Sequence, residues 1–563
     1  MTRTKNTRTQ YPSSERGRNS GLVPYELFCA EGRDLSRLLL KYPETQETLR
    51  SLSNQDYFRL VKKADRDSLS LLALGSEAQW SYLLDIDLWD KDRFDRDRLT
   101  LWIERFGDAD PERFVEWLFR DGLGLACLYF SEVLDVLILT PDDEDVEIPD
   151  GFFTFDGIVY LRPRSEESRA PLRAILDTMA QADINLFTWI ITSSGGLITA
   201  ETEEELYRLR NARLADEGFL PFEEALELYV PLDPASLENW SGPGAIDVSD
   251  SDNDKENTAI PGLPLAQAGP APLFLAALDR VAAGPDMDRL RLEFAGLCNQ
   301  ILSAEGTWGR ELDEMTAAAV KSGGYINLAL DALAGDSPEA AEKTIRSHHL
   351  HALFRVGFGM VAEVARSARE WLRESWFHRE GLPLSFWGEN SGHLLKGLLS
   401  QRPVYYSGPE GYRDFSSNQD LESCRSDLEH LAVLDELAGR LDGRHPPDRN
   451  LLHSPGMNVQ TLLITFFARK LTGTAGDSYG IPLDEARKFL DRIRQGEPGT
   501  PYALPCYETS FVSEFEDMSS RGEAGNPILR KALAAIWKEF QEEYAHVEST
   551  NLEERYAKYF IIL

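Results

Sequence analysis

Residues 53–84 read SNQDYFRLVKKADRDSLSLLALGSEAQWSYLL, a stretch in which short helices begin one after another. Ser53 and Ser76 each stand three residues before an Asp or a Gln, the spacing of a capping box that satisfies the N–H groups of a first helical turn. A further start falls near Asp65, so helix starts recur every 11 or 12 residues. Because helices of two or three turns are marginal alone, the stretch predicts an irregular stack of short helices that pack on one another.

Most of the remaining chain also has helical patterning, with one clear exception. Residues 152–161, FFTFDGIVYL, place two β-prone runs on either side of Asp156-Gly157, a dipeptide typical of the tight type I′ turn. Helical patterning then resumes, and its clearest helix has Thr202 and Glu205 at the predicted start. The predicted fold class is mainly α: short stacked helices with a small β-hairpin, joined by a linker to a second helical domain.

Two stretches of unusual composition divide the chain. Residues 241–272, SGPGAIDVSDSDNDKENTAIPGLPLAQAGPAP, have the Gly, Pro, Ser and Asp content of a flexible linker, and the acidic PDDEDVEIPD at 141–150 indicates a solvated connector. The predicted organisation is a disordered basic tail (1–20), an N-terminal helical stack (21–140), an acidic connector with hairpin and helices (141–240), the linker (241–272) and a C-terminal helical domain (273–563).

The composition is acidic, because 59 Lys and Arg stand against 94 Asp and Glu among 563 residues, a formal net charge of −35. This charge excludes a general binder of the phosphate backbone, so we predict no nucleic-acid partner. The five cysteines are scattered without a Cys-x-x-Cys pair, which is typical of cytosolic thiols. The uncharged stretches 184–200 and 257–278 are too short or too rich in proline to span a bilayer, and no export signal is recognisable. The predicted location is therefore cytoplasmic.

Three long stretches carry a resemblance to a known family: SEAQWSYLLDIDLWDKDRFD at 76–95, EEELYRLRNARLADEGFLPFEEALELYVPLDP at 203–234, and LEFAGLCNQILSAEG at 292–306. Together they resemble an uncharacterised bacterial family, a domain of unknown function, and this resemblance implies no activity, substrate or cofactor. Residues 35–105 are more weakly similar to the cytosolic helical domain of magnesium transporters and flagellar motor switch proteins. That second resemblance would imply partner contacts and divalent-cation sensing, but not transport, because the transporter's membrane part is absent from the sequence.

An aspartate-rich stretch, DIDLWDKDRFDRD at 85–97, holds enough carboxylates to ligate a hard cation. An EF-hand loop needs a Gly and a Glu at set positions, and neither register tested supplies them, while the interleaved basic residues neutralise the charge. We interpret the carboxylates as surface caps and ion-pair partners, and predict no metal site and no cofactor. A divalent-cation sensor in the N-terminal helical stack stays an alternative. The six carboxylates are Asp85, Asp87, Asp90, Asp92, Asp95 and Asp97.

The region 371–430 is rich in aromatic residues and histidines and is the best candidate for a ligand pocket in the sequence. Its run PVYY at 403–406 indicates irregular structure or a second hairpin. The alternative interpretation of the whole region is a plain aromatic core. The residues proposed to line the pocket are Trp376, His378, Trp387, His393, Tyr405 and Arg413.

Two weaker motifs also lie in the C-terminal half. Gly357, Gly359 and Ala362 match G-x-G-x-x-A, but the surrounding pattern is helical, so close helix packing is the better interpretation than nucleotide binding. His348 and His351 have the spacing of neighbours on a helix face, yet no carboxylate at ligand spacing accompanies them. We interpret both histidines as core or boundary residues.

The sequence contains no recognisable catalytic constellation. Enzymatic activity therefore stays undecided, with a protein that is not an enzyme favoured. The leading hypothesis is a cytoplasmic protein-interaction or scaffold protein with an unidentified protein partner, with homo-oligomerisation left open. An enzyme or small-ligand sensor with a site in 371–430 is the alternative. The apolar C-terminus, residues 559–563, is expected to dock on its own domain, with insertion into a partner as the second interpretation.

Overall fold

The structure is a computed structural model that describes residues 45–64, 68–90, 92–139, 148–165, 169–195, 199–239, 259–281, 283–444, 449–454, 456–474, 479–494, 505–519, 526–544 and 546–563. These residues are mainly α-helical, and their strands form small antiparallel sheets of two or three strands. The chain divides into two compact units. Among the described residues, unit 1 takes those up to 225, 259–267 and 288–318, and unit 2 takes 226–239, 268–287 and 319–563.

The described part of unit 1 contains the predicted succession of short helices. Ser76 is the N-cap of the helix Glu77–Asp87, and both halves of the predicted capping box form: the Gln79 N–H donates to Ser76 Oγ at 3.2 Å, and the Ser76 N–H donates to Gln79 Oε1 at 2.8 Å. The elements of residues 45–138 are α1 (Thr45–Arg50), α2 (Asn54–Ala64), α3 (Leu69–Leu74), α4 (Glu77–Asp87), β1 (Trp89–Asp90), β2 (Arg93–Phe94), α5 (Arg96–Ala109), α6 (Pro111–Arg120), α7 (Leu123–Val133) and β3 (Leu134–Ile138).

An aromatic core holds these short helices together. Trp80 on α4 is fully buried, and its indole N–H donates to the Leu72 carbonyl at 2.9 Å. The Phe106 ring of α5 lies 4.9 Å from the Trp80 ring, and the Arg113 guanidinium of α6 lies 4.3 Å from it on a cation–π contact. Since each helix alone is too short to be stable, burial of such large rings between helices supplies the stability that local propensity does not.

The predicted hairpin forms, but its turn is different from the one expected. Strands β4 (Phe153–Thr154) and β5 (Val159–Pro163) pair antiparallel across Asp156-Gly157. Between these two strands only Gly157 has a positive φ, of 76°, whereas a type I′ turn needs two consecutive residues with positive φ. The Asp156 carboxylate instead accepts the N–H groups of Ile158 and Val159, each at 2.8 Å, so the aspartate side chain makes the turn.

A third strand in this sheet is absent from the sequence prediction. Strand β3 directly follows α7 and pairs with β5, which gives the order β3-β5-β4. Its sequence LDVLI lies within the region predicted as helical stack. The apolar run was too short to distinguish a strand from a helix turn, and pairing with β5 decided between them.

The next stretch of chain is helical. The helix predicted to begin at Thr202 already includes Thr199, because the Ala and Glu residues before Thr202 also favour helix. Among the described residues, no helix has the length and apolar character needed to cross a membrane. The elements of residues 169–374 are α8 (Arg169–Ala182), α9 (Ile184–Gly195), α10 (Thr199–Asp216), α11 (Phe222–Ala225), α12 (Leu263–Ala266), α13 (Pro272–Leu278), α14 (Pro285–Glu305), α15 (Leu312–Ala334), α16 (Pro338–Ser347) and α17 (Leu350–Glu374), with 3₁₀ turns at Leu226–Tyr229 and Pro234–Asn239.

The G-x-G-x-x-A match lies inside α17, as the helical interpretation predicts. A Cβ atom at Gly357 would overlap the carbonyl group of Tyr325 on α15, so the glycine permits the two helix backbones to approach closely. Gly359 lies near the backbone of Leu232 in the same unit. The two glycines are therefore packing residues of unit 2.

Unit 2 ends in a second helical core. The hairpin indicated by PVYY forms between β6 and β7, with Tyr405 opposite Arg413. The elements of residues 376–563 are α18 (Trp376–Arg379), α19 (Glu389–Leu399), β6 (Tyr405–Tyr406), β7 (Tyr412–Arg413), α20 (Asn418–Arg444), α21 (Arg449–Leu452), α22 (Val459–Thr472), α23 (Leu483–Ile493), α24 (Pro505–Ser519) and α25 (Pro527–Tyr544), with 3₁₀ turns at Leu384–Trp387, Gly408–Glu410, Ser549–Asn551 and Glu554–Tyr556.

The apolar C-terminus docks on unit 2, in agreement with the first of its two interpretations. Tyr559, Phe560 and Ile561 are buried in the same core as α22 to α25. The Ile481 N–H donates to the Ile561 carbonyl at 2.7 Å, and the Leu563 N–H donates to the Ile481 carbonyl at 3.2 Å. The last residues thus form a short parallel bridge and fill the core.

Candidate functional site

The six residues predicted to line a pocket at 371–430 lie in three separate environments. Trp376 and Trp387 are buried in the aromatic core of unit 2, where the Trp376 indole N–H donates to Asp442 Oδ2 at 3.1 Å. His378 is exposed on the short helix α18. The two tryptophans therefore belong to an aromatic core, which is the alternative interpretation of this region.

The other three predicted residues belong to the β6–β7 hairpin and its surroundings. The His393 ring stacks on Tyr406 at 4.8 Å, and its Nδ1 lies 2.8 Å from the Tyr412 hydroxyl oxygen. The Arg413 guanidinium lies 4.5 Å from the Tyr405 ring and donates two hydrogen bonds to Asp420, at 2.7 and 2.9 Å. These contacts stiffen the hairpin and occupy the polar groups that a ligand would need.

The two histidines at the start of α17 do not share a helix face. Helix α16 ends at Ser347 and α17 begins at Leu350, so His348 lies between the helices. His351 is buried within α17, and burial, together with the charge of Arg355, lowers the pKa of its imidazole to about 4. The interpretation of His351 as a core residue fits this environment.

Four aspartates of 85–97, namely Asp85, Asp87, Asp90 and Asp95, form caps or ion pairs, and the first two of them are buried rather than on the surface. Asp95 caps α5 by accepting the Arg98 N–H at 3.1 Å. Asp87 accepts hydrogen bonds from Lys62, Arg98 and the Trp102 indole, which together hold the pKa of its carboxyl below the ordinary value despite burial. No three acidic, His or Cys side chains come together in a metal-binding group within the described ranges.

A cavity of about 570 Å³ lies elsewhere, within unit 1, and none of the residues predicted as a pocket contributes to it. Its walls come from α4, the end of α6, the start of α7 and α10. Among its lining residues, Leu84, Asp85 and Trp117 are buried, whereas Asp121, Glu201 and Glu205 are exposed. Its apolar walls are Leu123, Leu125, Leu206 and Leu209.

Helical periodicity explains how distant parts of the chain contribute to one cavity. On α4, residues 81, 84 and 85 are three and four apart and share one face. On α10, residues 202, 205, 206, 209 and 213 follow the same rule over three turns. Both stretches belong to the segments that carry the family resemblance, so the cavity is built from two of its three motifs.

An ion pair joins the two helices at the cavity. The Arg213 guanidinium donates from Nε and Nη2 to the two carboxylate oxygens of Asp85, at 2.7 and 2.6 Å. Burial raises the pKa of the Asp85 carboxyl, and the hydrogen bonds and charge of Arg213 offset this effect in part. The pair is planar and bidentate in its hydrogen bonding, which fixes the register of α4 against α10.

A second cationic side chain, that of Arg210, lies close to Asp85. Arg210 is completely buried, its Nε donates to the Asp85 carbonyl at 2.6 Å, and its guanidinium lies 4.4 Å from the Trp308 ring. Burial lowers the pKa of Arg210 to about 10, against the opposing charge of Asp85. Since a pKa of about 10 keeps the side chain cationic at neutral pH, the structure holds a positive charge next to Asp85.

A buried donor without an acceptor and the start of a helix occur among the residues that line the cavity. The buried indole N–H of Trp117 has no partner within the described part of the chain. Helix α7 begins after Gly122, which has no side chain to cap it, and the first helical bond is from the Ala126 N–H to the Gly122 carbonyl. The N–H groups of residues 123, 124 and 125 therefore precede the hydrogen-bonded helix and carry its partial positive charge.

The fold and this cavity define a mainly α-helical protein with an open recess between helices, bordered by an ion pair whose carboxylate is buried. The chain belongs to DUF6178, a family of unknown function whose model matches residues 22–563. The match confirms the predicted membership of an uncharacterised family. The comparisons with curated proteins and with solved structures give no match, so the resemblance of 35–105 to magnesium transporters and motor switch proteins has no support from them.

Sequence reasoning missed the cavity because its residues are far apart in the chain and chemically ordinary. The sequence did contain one signal of this face. On α10, Glu205, Leu209 and Arg213 follow one another at four-residue intervals, which places polar and leucine side chains on the same side of the helix. The partner face on α4 has the same spacing. No single motif marked either face, so only the packing of α4 against α10 shows that they belong together.

Proposed function

We propose that this protein is a ligand-recognition protein whose binding site is the cavity of unit 1. The observation that carries the proposal is the cavity itself, because a volume of about 570 Å³ is typical of small-molecule sites. Its lining combines leucine side chains with polar and charged ones, so a ligand there would have both apolar and polar contacts. The proposal places recognition in unit 1 rather than in the aromatic region 371–430.

The surroundings of the cavity favour binding over catalysis. The charged pair in its lining, Asp85 with Arg213, is engaged in mutual hydrogen bonds. The nearby thiol of Cys127 is buried, and burial raises its pKa, which disfavours the nucleophilic thiolate. Buried thiols at Cys127, Cys298 and Cys424 fit a reducing compartment, and we propose the cytoplasm as the location.

Retention of a natural ligand tests the proposal. The protein is purified gently from its native host, and small molecules are identified by native mass spectrometry in the wild type and in two cavity variants. Ser81→Trp fills the cavity from α4, and Leu209→Trp narrows it at a side chain that is 42% exposed and tolerates substitution. Ser367→Trp, at an exposed position of α17, is the matched control.

The expected result is a stoichiometric small molecule on the wild type and on Ser367→Trp that both cavity variants lose. Retention of the same molecule by both cavity variants would place its site elsewhere. A wild type that carries no small molecule would contradict the proposal of a natural ligand in this cavity.

A protein-interaction or scaffold role is the second candidate, and a separate surface favours it. Ile158 and Trp189 are 54% and 52% exposed, unusual for such large apolar side chains. Ile158 follows Asp156 by two residues, and Trp189 follows Thr188, whose hydroxyl donates to the Asp156 carboxylate at 3.2 Å. The hairpin turn and α9 therefore present apolar side chains to solvent in one area.

A paired substitution tests this second role. We expect Ile158→Glu with Trp189→Glu to abolish capture of a stoichiometric protein partner from the native host, because charged residues would have to be desolvated in the interface. Tyr556→Glu, at a residue that is 67% exposed in unit 2, is the control and should retain the partner. Equal recovery of the partner by all variants would exclude this surface as the interface.

A further inference from the structure

Strand β3 lies at one edge of the three-stranded sheet in unit 1. The order β3-β5-β4 leaves β3 paired on one side only among the described residues. Its register with β5 is continuous over all five residues, from Leu134 opposite Pro163 to Ile138 opposite Val159. The strand is therefore regular and long enough to act as a template for a further strand.

The hydrogen bond that continues this ladder shows which backbone groups of β3 point outward. The Leu139 N–H donates to the Ile158 carbonyl at 2.9 Å, in the same register as the strand pair. Because positions along an antiparallel ladder alternate between bonded and non-bonded, the odd-numbered residues of β3 bond to β5. The N–H and C=O groups of Val136 and Ile138 consequently point away from β5, and they have no hydrogen-bond partner within the described part of the chain.

The edge lacks the features by which proteins usually protect a free strand. An unpaired charge, a proline or a bulge would prevent a second strand from pairing. The sequence LDVLI has no proline and its register has no bulge. Its single charge, on Asp135, is paired with Arg162 and Arg164 at 2.7 and 3.0 Å. Ile138 is 46% exposed, so apolar surface accompanies the free backbone groups.

The sequence of β3 is complementary to itself when two copies run antiparallel. With Val136 opposite its counterpart, Leu134 of one copy lies opposite Ile138 of the other, so apolar side chains meet on one face. The outward backbone groups also match in this register. Each Val136 N–H meets the Val136 carbonyl of the other copy, and each Ile138 N–H meets the Leu134 carbonyl.

Charge does not oppose this pairing at the strand itself. In the same register Asp135 lies opposite Leu137 of the second copy rather than opposite another carboxylate. Each Asp135 is also neutralised within its own copy by Arg162 and Arg164. We propose that this protein forms a homodimer in which two β3 strands pair around Val136 and join two three-stranded sheets into one sheet of six strands.

The inference is independent of the proposed ligand site, because none of the described cavity-lining residues belongs to β3. Sedimentation velocity of the full-length protein at about 1–100 μM measures the association. The buffer contains about 0.3 M salt, which screens the repulsion between two chains that each carry a formal charge of −35. We expect a reversible monomer–dimer equilibrium in this range, typical of an interface held by few hydrogen bonds.

A proline at the free edge tests the backbone pairing. Ile138→Pro removes an outward N–H from each copy without breaking a bond to β5, since proline is tolerated on that side of an edge strand. The dimer loses two hydrogen bonds, and its dissociation constant should rise at least about tenfold. Ile138→Thr keeps the N–H and a β-branched side chain, so this matched control should stay closer to the wild type.

Cysteine cross-linking tests the register and does not depend on the proline being tolerated. Val136→Cys places two thiols opposite each other, with Cα atoms about 5.5 Å apart, a separation that suits a disulfide. Leu137→Cys is the matched control, because its two copies lie diagonally at about 7–8 Å, beyond that range. Under mild oxidation we expect a covalent dimer from Val136→Cys, and no more from Leu137→Cys than from the wild type with its native cysteines.

Several outcomes would overturn the homodimer. A wild type that stays monomeric over the whole concentration range contradicts it directly. If a monomeric wild type captures a different protein and Ile138→Pro does not, the edge takes a foreign strand instead. A dimer that Ile138→Pro leaves unchanged, without a Val136→Cys cross-link, uses another surface. Equal cross-linking of Val136→Cys and Leu137→Cys would contradict pairing around Val136.

Discussion

Asp85 on α4 and Arg213 on α10 form a bidentate ion pair, with hydrogen bonds of 2.7 and 2.6 Å, between residues 128 positions apart in the chain. The Asp85 side chain is only 7% exposed, whereas that of Arg213 is 50% exposed. The pair therefore combines a buried carboxylate with a cation that reaches towards solvent. It positions α4 and α10, two of the helices that line the cavity.

Loss of Arg213 should destabilise unit 1. Arg213→Met removes the two hydrogen bonds of the buried Asp85 carboxylate and leaves only the charge of Arg210 near it, and we expect a loss of about 2–4 kcal/mol in the free energy of unfolding, measured by urea denaturation. Arg208→Met, which removes an exposed pair with Glu205 on the same helix, should change it by less than about 0.5 kcal/mol. Equal effects of the two substitutions would show that the Asp85–Arg213 pair has no special role.

His351 should make the protein less stable in mild acid. Its pKa of about 4 in the folded protein lies below the value of about 6.5 in the unfolded chain, so the unfolded state binds more protons between these values. The stability that neutral His351 provides is complete above pH 6.5 and is lost as the pH falls towards 4. By pH 5 the loss amounts to about 2 kcal/mol.

The comparison of variants isolates this effect from other titrations. We expect His351→Gln to have a smaller decrease in the free energy of unfolding between pH 7 and pH 5 than the wild type. His378→Gln, at an exposed histidine, should follow the wild type. A His351→Gln curve parallel to that of the wild type would show that His351 is not the group responsible.

Gly357 should tolerate no side chain. Gly357→Ala places a methyl group against the Tyr325 carbonyl and forces α17 away from α15, and we expect a loss of about 1–3 kcal/mol. Gly443→Ala is the control in α20, because no atom lies within 4 Å of its Cβ position. The control should gain up to about 1 kcal/mol from helix propensity. Thermal unfolding of the two variants should therefore shift in opposite directions, and a tolerated Gly357→Ala would refute the close contact.

The C-terminus should contribute to the stability of unit 2. Ile561→Ala removes a side chain that is 7% exposed, and we expect a loss of about 2–4 kcal/mol in urea denaturation. Leu563→Ala, at a side chain that is 66% exposed, should cost less than about 1 kcal/mol. Similar values for both would indicate that the terminal residues do not form part of the core.

Much of the fold could be predicted because its signals are local. The capping box at Ser76 and the β-prone runs around Asp156-Gly157 depend on residues a few positions apart, and the structure contains both features. The predicted turn type was wrong because the Asp156 carboxylate accepts two N–H groups, which the dipeptide alone does not reveal. Strand β3 was missed because its five residues, LDVLI, become a strand only through pairing with β5.

The candidate site could not be predicted, because the residues that form it are not close together in the sequence. Its ion pair and its walls come from helices that are far apart in the chain, and their side chains are ordinary leucines, acids and arginines. The aromatic region at 371–430 attracted attention by composition, yet Trp376 and Trp387 serve the core. Composition identifies large side chains but does not tell whether they enclose a space or fill one.

The most direct test of the ligand site observes Trp117 itself. The ¹⁵N resonance of its indole N–H, assigned with Trp117→Phe, is followed while small molecules extracted from the native host are added. We predict a shift of the Trp117 signal in the wild type that is absent in Leu209→Trp, while the signal of the exposed Trp189 stays unchanged. A Trp117 signal that does not move, or that moves equally in Leu209→Trp, would contradict ligand binding in the cavity.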